Sequence, residues 1–190
     1  MDDDMRDYLK TELQATDEEL DKLEKLIQLQ QSKVNSTQAN LSQPSVIFDD
    51  FLYQGDLGHA IDEKLLSELK IQHIINLCDC SLETAIVERF DVTWIDNFDD
   101  SLQSQIREHL NRTNDLLDKY NKNKEKVLVH CQAGISRSSS IILAYLMKYN
   151  HKSLEEAYEY LLERRPIVAP NYGFLIQLIR YEKELENQKT

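Results

Sequence analysis

The sequence predicts an α/β fold: a mostly parallel central sheet flanked by helices on both faces, preceded by an N-terminal helical arm. Three observations carry that prediction. From Val46 onward, short β-branched runs alternate with amphipathic stretches, as in a sheet whose strands are joined by crossover helices. The first 34 residues contain no Gly or Pro and repeat their apolar residues at helical spacing. Between the two regions lies a polar stretch, "NSTQANLSQPS". The expected organisation is an acidic amphipathic arm over 1–34, a linker over 35–45, one domain over 46–186 and a tail over 187–190.

In the arm, Leu13, Leu20, Ile27 and Val34 form one heptad-like row, with Leu9 and Leu23 on the adjacent one. "TDEE" at Thr16 to Glu19 has capping-box spacing, so a helix is expected to restart there. An isolated helix of this length is marginal in water. The arm is therefore either partly disordered or covered by a partner, through self-association or a partner helix.

In the domain, "VIFDDFLYQG" reads as a strand or hairpin closed by Gly55, and "DEKLLSELK" as a short helix. "IQHIINLC" and "VTWIDNF" read as strands. Ile106, Leu110, Leu116, Leu117 and Tyr120 predict a helix before the apolar strand "KVLVH". Three helices follow: Ser139 to Tyr149, "SLEEAYEYLLERR" with a Ser153/Glu156 capping box, and Tyr172 to about Glu186.

The 190 residues suffice for one well-cored domain plus an appendage. With 22 Lys+Arg against 34 Asp+Glu the chain is acidic, which argues against nucleic-acid or anionic-membrane binding. No apolar run approaches the roughly 20 residues of a membrane span. The opening "MDDDMRDYLK" is not a basic-plus-apolar leader, and three cysteines do not read as a disulfide framework. The expected setting is cytoplasmic or nuclear.

The junction "VLVHCQAGISRSSS" is where chemistry concentrates. A loop leaving a strand and entering a helix turns backbone N–H groups inward at the positive end of the helix dipole, which makes an anion cradle. The same field favours a thiolate, so Cys131 is expected to act as a nucleophile without a dedicated base. Gly134 lets the backbone close tightly. Arg137 offers a planar fork for two oxygens of one phosphate. Ser138 can donate a hydrogen bond to the Cys131 sulfur when a thiophosphate breaks down. Such an arrangement suits in-line displacement at phosphorus.

His130-Cys131-x5-Arg137-Ser138 resembles the signature of cysteine-dependent protein tyrosine phosphatases. "HCQAGISRS" followed by "AYLM" is similar to the dual-specificity branch, as are "FLYQG", "IINL" and "RRPIVAPNYGFLIQL", in that order. The resemblance covers about the last 140 residues and not the first 45. It implies a small, atypical dual-specificity phosphatase. Such an enzyme hydrolyses phosphotyrosine and phosphoserine/threonine monoesters on a protein substrate through a cysteinyl-phosphate, with neither metal nor cofactor. It also implies a phosphate-binding loop of Gln132, Ala133, Gly134, Ile135, Ser136 and Arg137. A general acid is implied roughly 30 residues before the nucleophile. "NFDDS" places Asp100 there, with Asp99 as the competing neighbour. His130 is implied to tune the thiolate through the backbone, and Asn171 to hydrogen-bond the phosphate loop, although a helix N-cap suits Asn171 equally well.

The loop carries no Lys, which disfavours inositol lipids and RNA triphosphate ends and favours a single phosphomonoester. The competing function is a phosphoprotein-binding or scaffold module that recruits partners through the arm. Cys78 ends a strand near the expected site and is either a core residue or a disulfide partner for Cys131. Cys80, beyond the strand end, is the weaker candidate.

Overall fold

Among the described residues of the computed structural model, five short strands form one sheet in the order β1-β2-β5-β3-β4. The structure describes residues 1–34, 40–150 and 153–188. Residues 35–39 of the expected linker, 189–190 of the expected tail and the Val34 side chain lie outside the described residues. β1 (Ser45–Phe48) and β2 (Leu52–Gly55) pair antiparallel, whereas β3 (His73–Asn76), β4 (Asp91–Trp94) and β5 (Val127–His130) extend the sheet in parallel. The hairpin turns at Asp49 and Asp50, whose φ values of 44° and 54° lie in the left-handed region that Asp tolerates better than most residues.

Successive strand residues face opposite sides. Val127 and Val129 of β5 join the larger core, and Leu128 between them joins the smaller one. Helices α6 (Arg107–Asn123), α7 (Arg137–Tyr149), α8 (Leu154–Arg164) and α9 (Tyr172–Asn187) contribute to the larger core. Helices α3 (Leu57–Ile61), α4 (Glu63–Glu68) and α5 (Thr84–Arg89) contribute to the smaller one. The sheet is thus mostly parallel with helices on both faces, as the periodicity predicts. Helix α7 is buried from Arg137 to Met147, which explains why "IILAYLM" is apolar all round. It begins two residues before the expected start, because Arg137 and Ser138 are already helical. α3 and α5, of 5 and 6 residues, are too short to show a periodicity and went unpredicted.

The arm forms α1 (Asp3–Glu12) and α2 (Asp17–Val34). The break carries a reciprocal cap: Thr16 N–H donates to the Glu19 carboxylate at 3.0 Å, and Glu19 N–H donates to Thr16 Oγ1 at 3.2 Å. The apolar face expected to seek a partner is covered within the chain. α2 packs on α8 and α9 and buries Leu20, Leu23 and Leu26, Leu9 of α1 joins the same core, and Leu13 and Ile27 of the expected row are only partly buried against it. Charge pairs cross this interface in both senses, two of them reaching a buried carboxylate. Arg180 of α9 forks onto Glu19 at 2.9 and 3.0 Å, and Lys22 of α2 pairs with the buried Glu182. The other oxygen of Glu182 accepts the Leu154 N–H at the start of α8, at 2.7 Å. No helix among the described residues is long and apolar enough to cross a membrane.

Candidate active site

β5 ends at His130, α7 begins at Arg137, and the six residues between them form a loop. Its carbonyls are held from outside. Leu57 N–H donates to Gln132 O, Arg165 Nε and Gln54 Nε2 to Gly134 O, and Ala169 N–H with the Ser139 hydroxyl to Ile135 O. In a planar trans peptide the N–H points opposite to the carbonyl. Carbonyls turned outward therefore aim the N–H groups of Ala133, Ile135 and Ser136 into the loop. Gly134 is required for this shape: its φ is +65°, and a Cβ there would lie 2.5 Å from Gly55 O.

Cys131 lies at the bottom of the loop, 2% exposed. Ser138 Oγ is 3.4 Å from its sulfur. Because Ser138 Oγ already accepts from Gln54 Nε2 at 3.0 Å, its own proton is free to point at the sulfur. Arg137 folds back over the loop. Its Nη1 donates to Leu77 O at 2.9 Å, to the Asp79 carboxylate at 3.1 and 3.2 Å and to Phe98 O at 3.3 Å. Its Nε is buried with no partner among the described residues, an orphaned donor that an oxyanion would satisfy. His130 is fully buried, and burial pushes its pKa down to about 4, so the ring is neutral near pH 7. It sits between the cysteines, with Nδ1 3.8 Å from Cys78 Sγ.

Asp100 lies on the loop between β4 and α6. It lines the same cavity of about 330 Å³ as Cys131 and Arg137. Asp99 faces a separate cavity of about 700 Å³ with Asp79, Trp94, Asp96 and Glu108. Asp100 Oδ1 accepts from the Ser136 hydroxyl at 2.6 Å and from Asn171 Nδ2 at 2.8 Å. Asn171 caps a helix and also bonds the phosphate loop, the latter through its backbone. Its side chain reaches Asp100 and Ser101 O and caps α9 by accepting from Phe174 N–H. Only its backbone N–H reaches the phosphate loop, donating to Ser136 Oγ at 3.1 Å. The reason is local: an N-cap must aim its side-chain oxygen at its own first turn, which leaves the amide nitrogen toward the Asp100 loop.

Sequence reasoning missed Gln54, Asp79 and Arg165. Gln54 and Arg165 are fully buried polar side chains in segments singled out only as motifs, "FLYQG" and "RRPIVAPN". A buried Gln at a strand end and an Arg among apolar neighbours were the available signals. Asp79 is an exposed loop residue with no pattern to mark it.

Residues 52–184 match the family model described as dual specificity phosphatase, catalytic domain. Dual specificity protein phosphatase 5 of Rattus norvegicus is 40% identical over 135 residues, covering 71% of this chain and 35% of that protein. Tyrosine-protein phosphatase vhp-1 of Caenorhabditis elegans is 34% identical over 154 residues, covering 78% of this chain and 23% of that protein. The first of these curated relatives are thus spanned over about a third of their length. Among solved structures, human DUSP28 superposes with a TM-score of 0.69 at 25% identity, over 76% of this chain and 99% of that one.

Proposed function

This chain belongs to the dual specificity phosphatase family, and from that premise we propose that it hydrolyses phosphotyrosine and phosphoserine/threonine monoesters on proteins through a cysteinyl-phosphate. One observation supports the reading above others: Cys131, Arg137 and Asp100 line one cavity although Asp100 lies 31 residues before Cys131 in the chain.

In the first step the Cys131 thiolate attacks phosphorus in line. The S–P bond forms, the P–O bond breaks, and the leaving oxygen takes the proton of Asp100. The inward N–H groups and the Arg137 fork hold the equatorial oxygens as charge builds. In the second step Asp100, now a carboxylate, takes a proton from water. The water oxygen bonds phosphorus, and Cys131 leaves as a thiolate that accepts the Ser138 hydrogen bond. Every loop side chain between Cys131 and Arg137 is neutral, which favours a single phosphate over a polyphosphate. The free cysteines Cys78, Cys80 and Cys131 support a reducing, cytoplasmic or nuclear setting. The scaffold reading has less support, because the apolar arm face it would use is covered by the chain's own helices.

The test is hydrolysis of an aryl phosphate and of phosphotyrosine and phosphothreonine peptides by wild type, Cys131→Ser and Arg137→Lys. Cys131→Ser is expected to abolish turnover while retaining oxyanion binding. Arg137→Lys is expected to lose most activity, since a point charge does not reproduce the fork. Appreciable turnover by Cys131→Ser would rule out the mechanism.

A further inference from the structure

Two consecutive arginines follow α8, and they part company. Arg164 turns out to solvent, with its guanidinium 3.4 Å from the Tyr160 ring centroid. Arg165 turns in and is fully buried beneath the phosphate loop. Its Nε donates to Gly134 O at 2.8 Å, its Nη1 reaches Ser45 Oγ at 3.3 Å, and its Nη2 is buried without a partner among the described residues. The fit is close: a Cβ on Gly134 would lie 2.6 Å from that Nη2.

Burying a guanidinium is costly unless an opposite charge is paired with it. Arg6, Arg107, Arg137 and Arg180 each have such a carboxylate. Among the described residues Arg165 forms no ion pair, and its polar contacts are a carbonyl and a hydroxyl. Holding the Gly134 carbonyl does not call for a charge, because neutral Gln54 donates to the same oxygen at 3.3 Å. Burial pushes the guanidinium pKa down, while the negative charges of Asp56 and Cys131 pull it back up.

We propose that Arg165 is a second cation of the phosphate site, a positioning residue that acts on the bound phosphoryl dianion from beneath the loop without touching it. The dianion, or the thiolate before it arrives, adds counter-charge to that of Asp56, which acts on Arg165 without pairing with it. The proposal rests on the phosphate-site reading and adds to it a residue outside the signature.

The experiment measures orthophosphate binding as protection of Cys131 from alkylation by iodoacetamide, which needs no turnover. It compares wild type, Arg165→Gln and Arg165→Lys. Gln keeps a donor for Gly134 O and removes the charge; Lys keeps the charge. Arg165→Gln is expected to weaken orthophosphate binding roughly tenfold, the scale of one unit charge acting through a protein interior. Arg165→Lys is expected to restore most of that loss, which a purely structural role would not produce. Equal binding by Gln and wild type, or Lys no better than Gln, overturns the proposal.

If Arg165→Gln does not fold, Asp56→Asn decides. It removes the negative charge acting on Arg165 while keeping an N-cap for α3. Binding should tighten by about two- to threefold, and unchanged binding overturns the proposal. Failure of wild type itself to bind orthophosphate would remove the phosphate-site reading, and this inference with it.

Discussion

Asn171 and Asp100 are joined directly, Nδ2 to Oδ1 at 2.8 Å, and the same carboxylate oxygen also takes the Ser136 hydroxyl at 2.6 Å. Both donors fall on Oδ1 and neither on Oδ2, the oxygen the proposed mechanism uses. Asp99 is arranged differently: it faces the separate cavity, away from Cys131, and hydrogen bonds from Ser104 and Ser101 hold its carboxyl below the usual range. Asp100→Asn is therefore expected to slow phenyl phosphate hydrolysis by about 10²-fold, with a smaller loss for nitrophenyl phosphate. Asp99→Asn is expected to stay within about twofold, having no general-acid role to lose. Measuring kcat across leaving groups checks this, and the reverse pattern would move the acid by one residue.

The backbone behind Asp100 rests on Gly173, where a Cβ would lie 2.0 Å from Leu102 O. Gly173→Ala should push Leu102 away and carry Asp100 with it. The expected result is a leaving-group-dependent loss of at least about tenfold, a fraction of what full removal of the acid costs. A uniform loss across leaving groups would mean that Gly173 supports the fold and not the acid.

Leu23 is buried between α2 and the helices of the domain. Leu23→Ala is expected to cost about 2–5 kcal/mol. That lowers Tm by roughly 5–15 °C for a chain of this size. With the apolar face covered internally, the full chain is expected to sediment as a monomer, and a chain starting at Val46 to expose apolar surface and lose stability. Thermal unfolding and sedimentation check both, and equal Tm values for wild type and Leu23→Ala would mean the arm is not docked in solution.

Glu19 links the arm to acidity. Burial alone would raise its pKa, but hydrogen bonds from Arg180 and from the Thr16 backbone prevail and lower it below 4.5. A depressed carboxyl contributes stability that is full above its unfolded value and disappears as pH falls through the folded one. The stability gap between wild type and Glu19→Gln should thus be widest near neutral pH and close below about pH 4.5. Urea titrations at several pH values measure it, and a gap independent of pH would contradict the assignment.

Burial pushes the Cys78 thiol up to about 12. Disulfide formation requires a thiolate attacker, and near neutral pH Cys78 supplies almost none. After peroxide inactivation, recovery by added thiol should be equal in wild type and Cys78→Ser. Faster recovery of wild type would show that Cys78 rescues Cys131 despite its protonation.

The strand before Cys131 and the helix after it were legible because an apolar run, a small-residue loop and a second apolar run follow in order. Thr16 was legible because a capping box is local in sequence. Asn171 was half legible: its cap obeys a short-range rule, while its bond to Asp100 spans 71 residues and follows from packing. Arg165 and Gln54 were hidden for the same reason. Nothing in "RRP" says which arginine turns inward, since that is decided by the space beneath Gly134.

The docking of α2 onto α8 and α9 also has a consequence for synthesis. The arm leaves the ribosome before α8 and α9, the helices that cover Leu20, Leu23 and Leu26. At roughly 5–20 residues per second the nascent arm waits about 10–30 s with those leucines uncovered. Through that interval a chaperone, or a neighbouring nascent chain, competes for the face that α9 will eventually occupy.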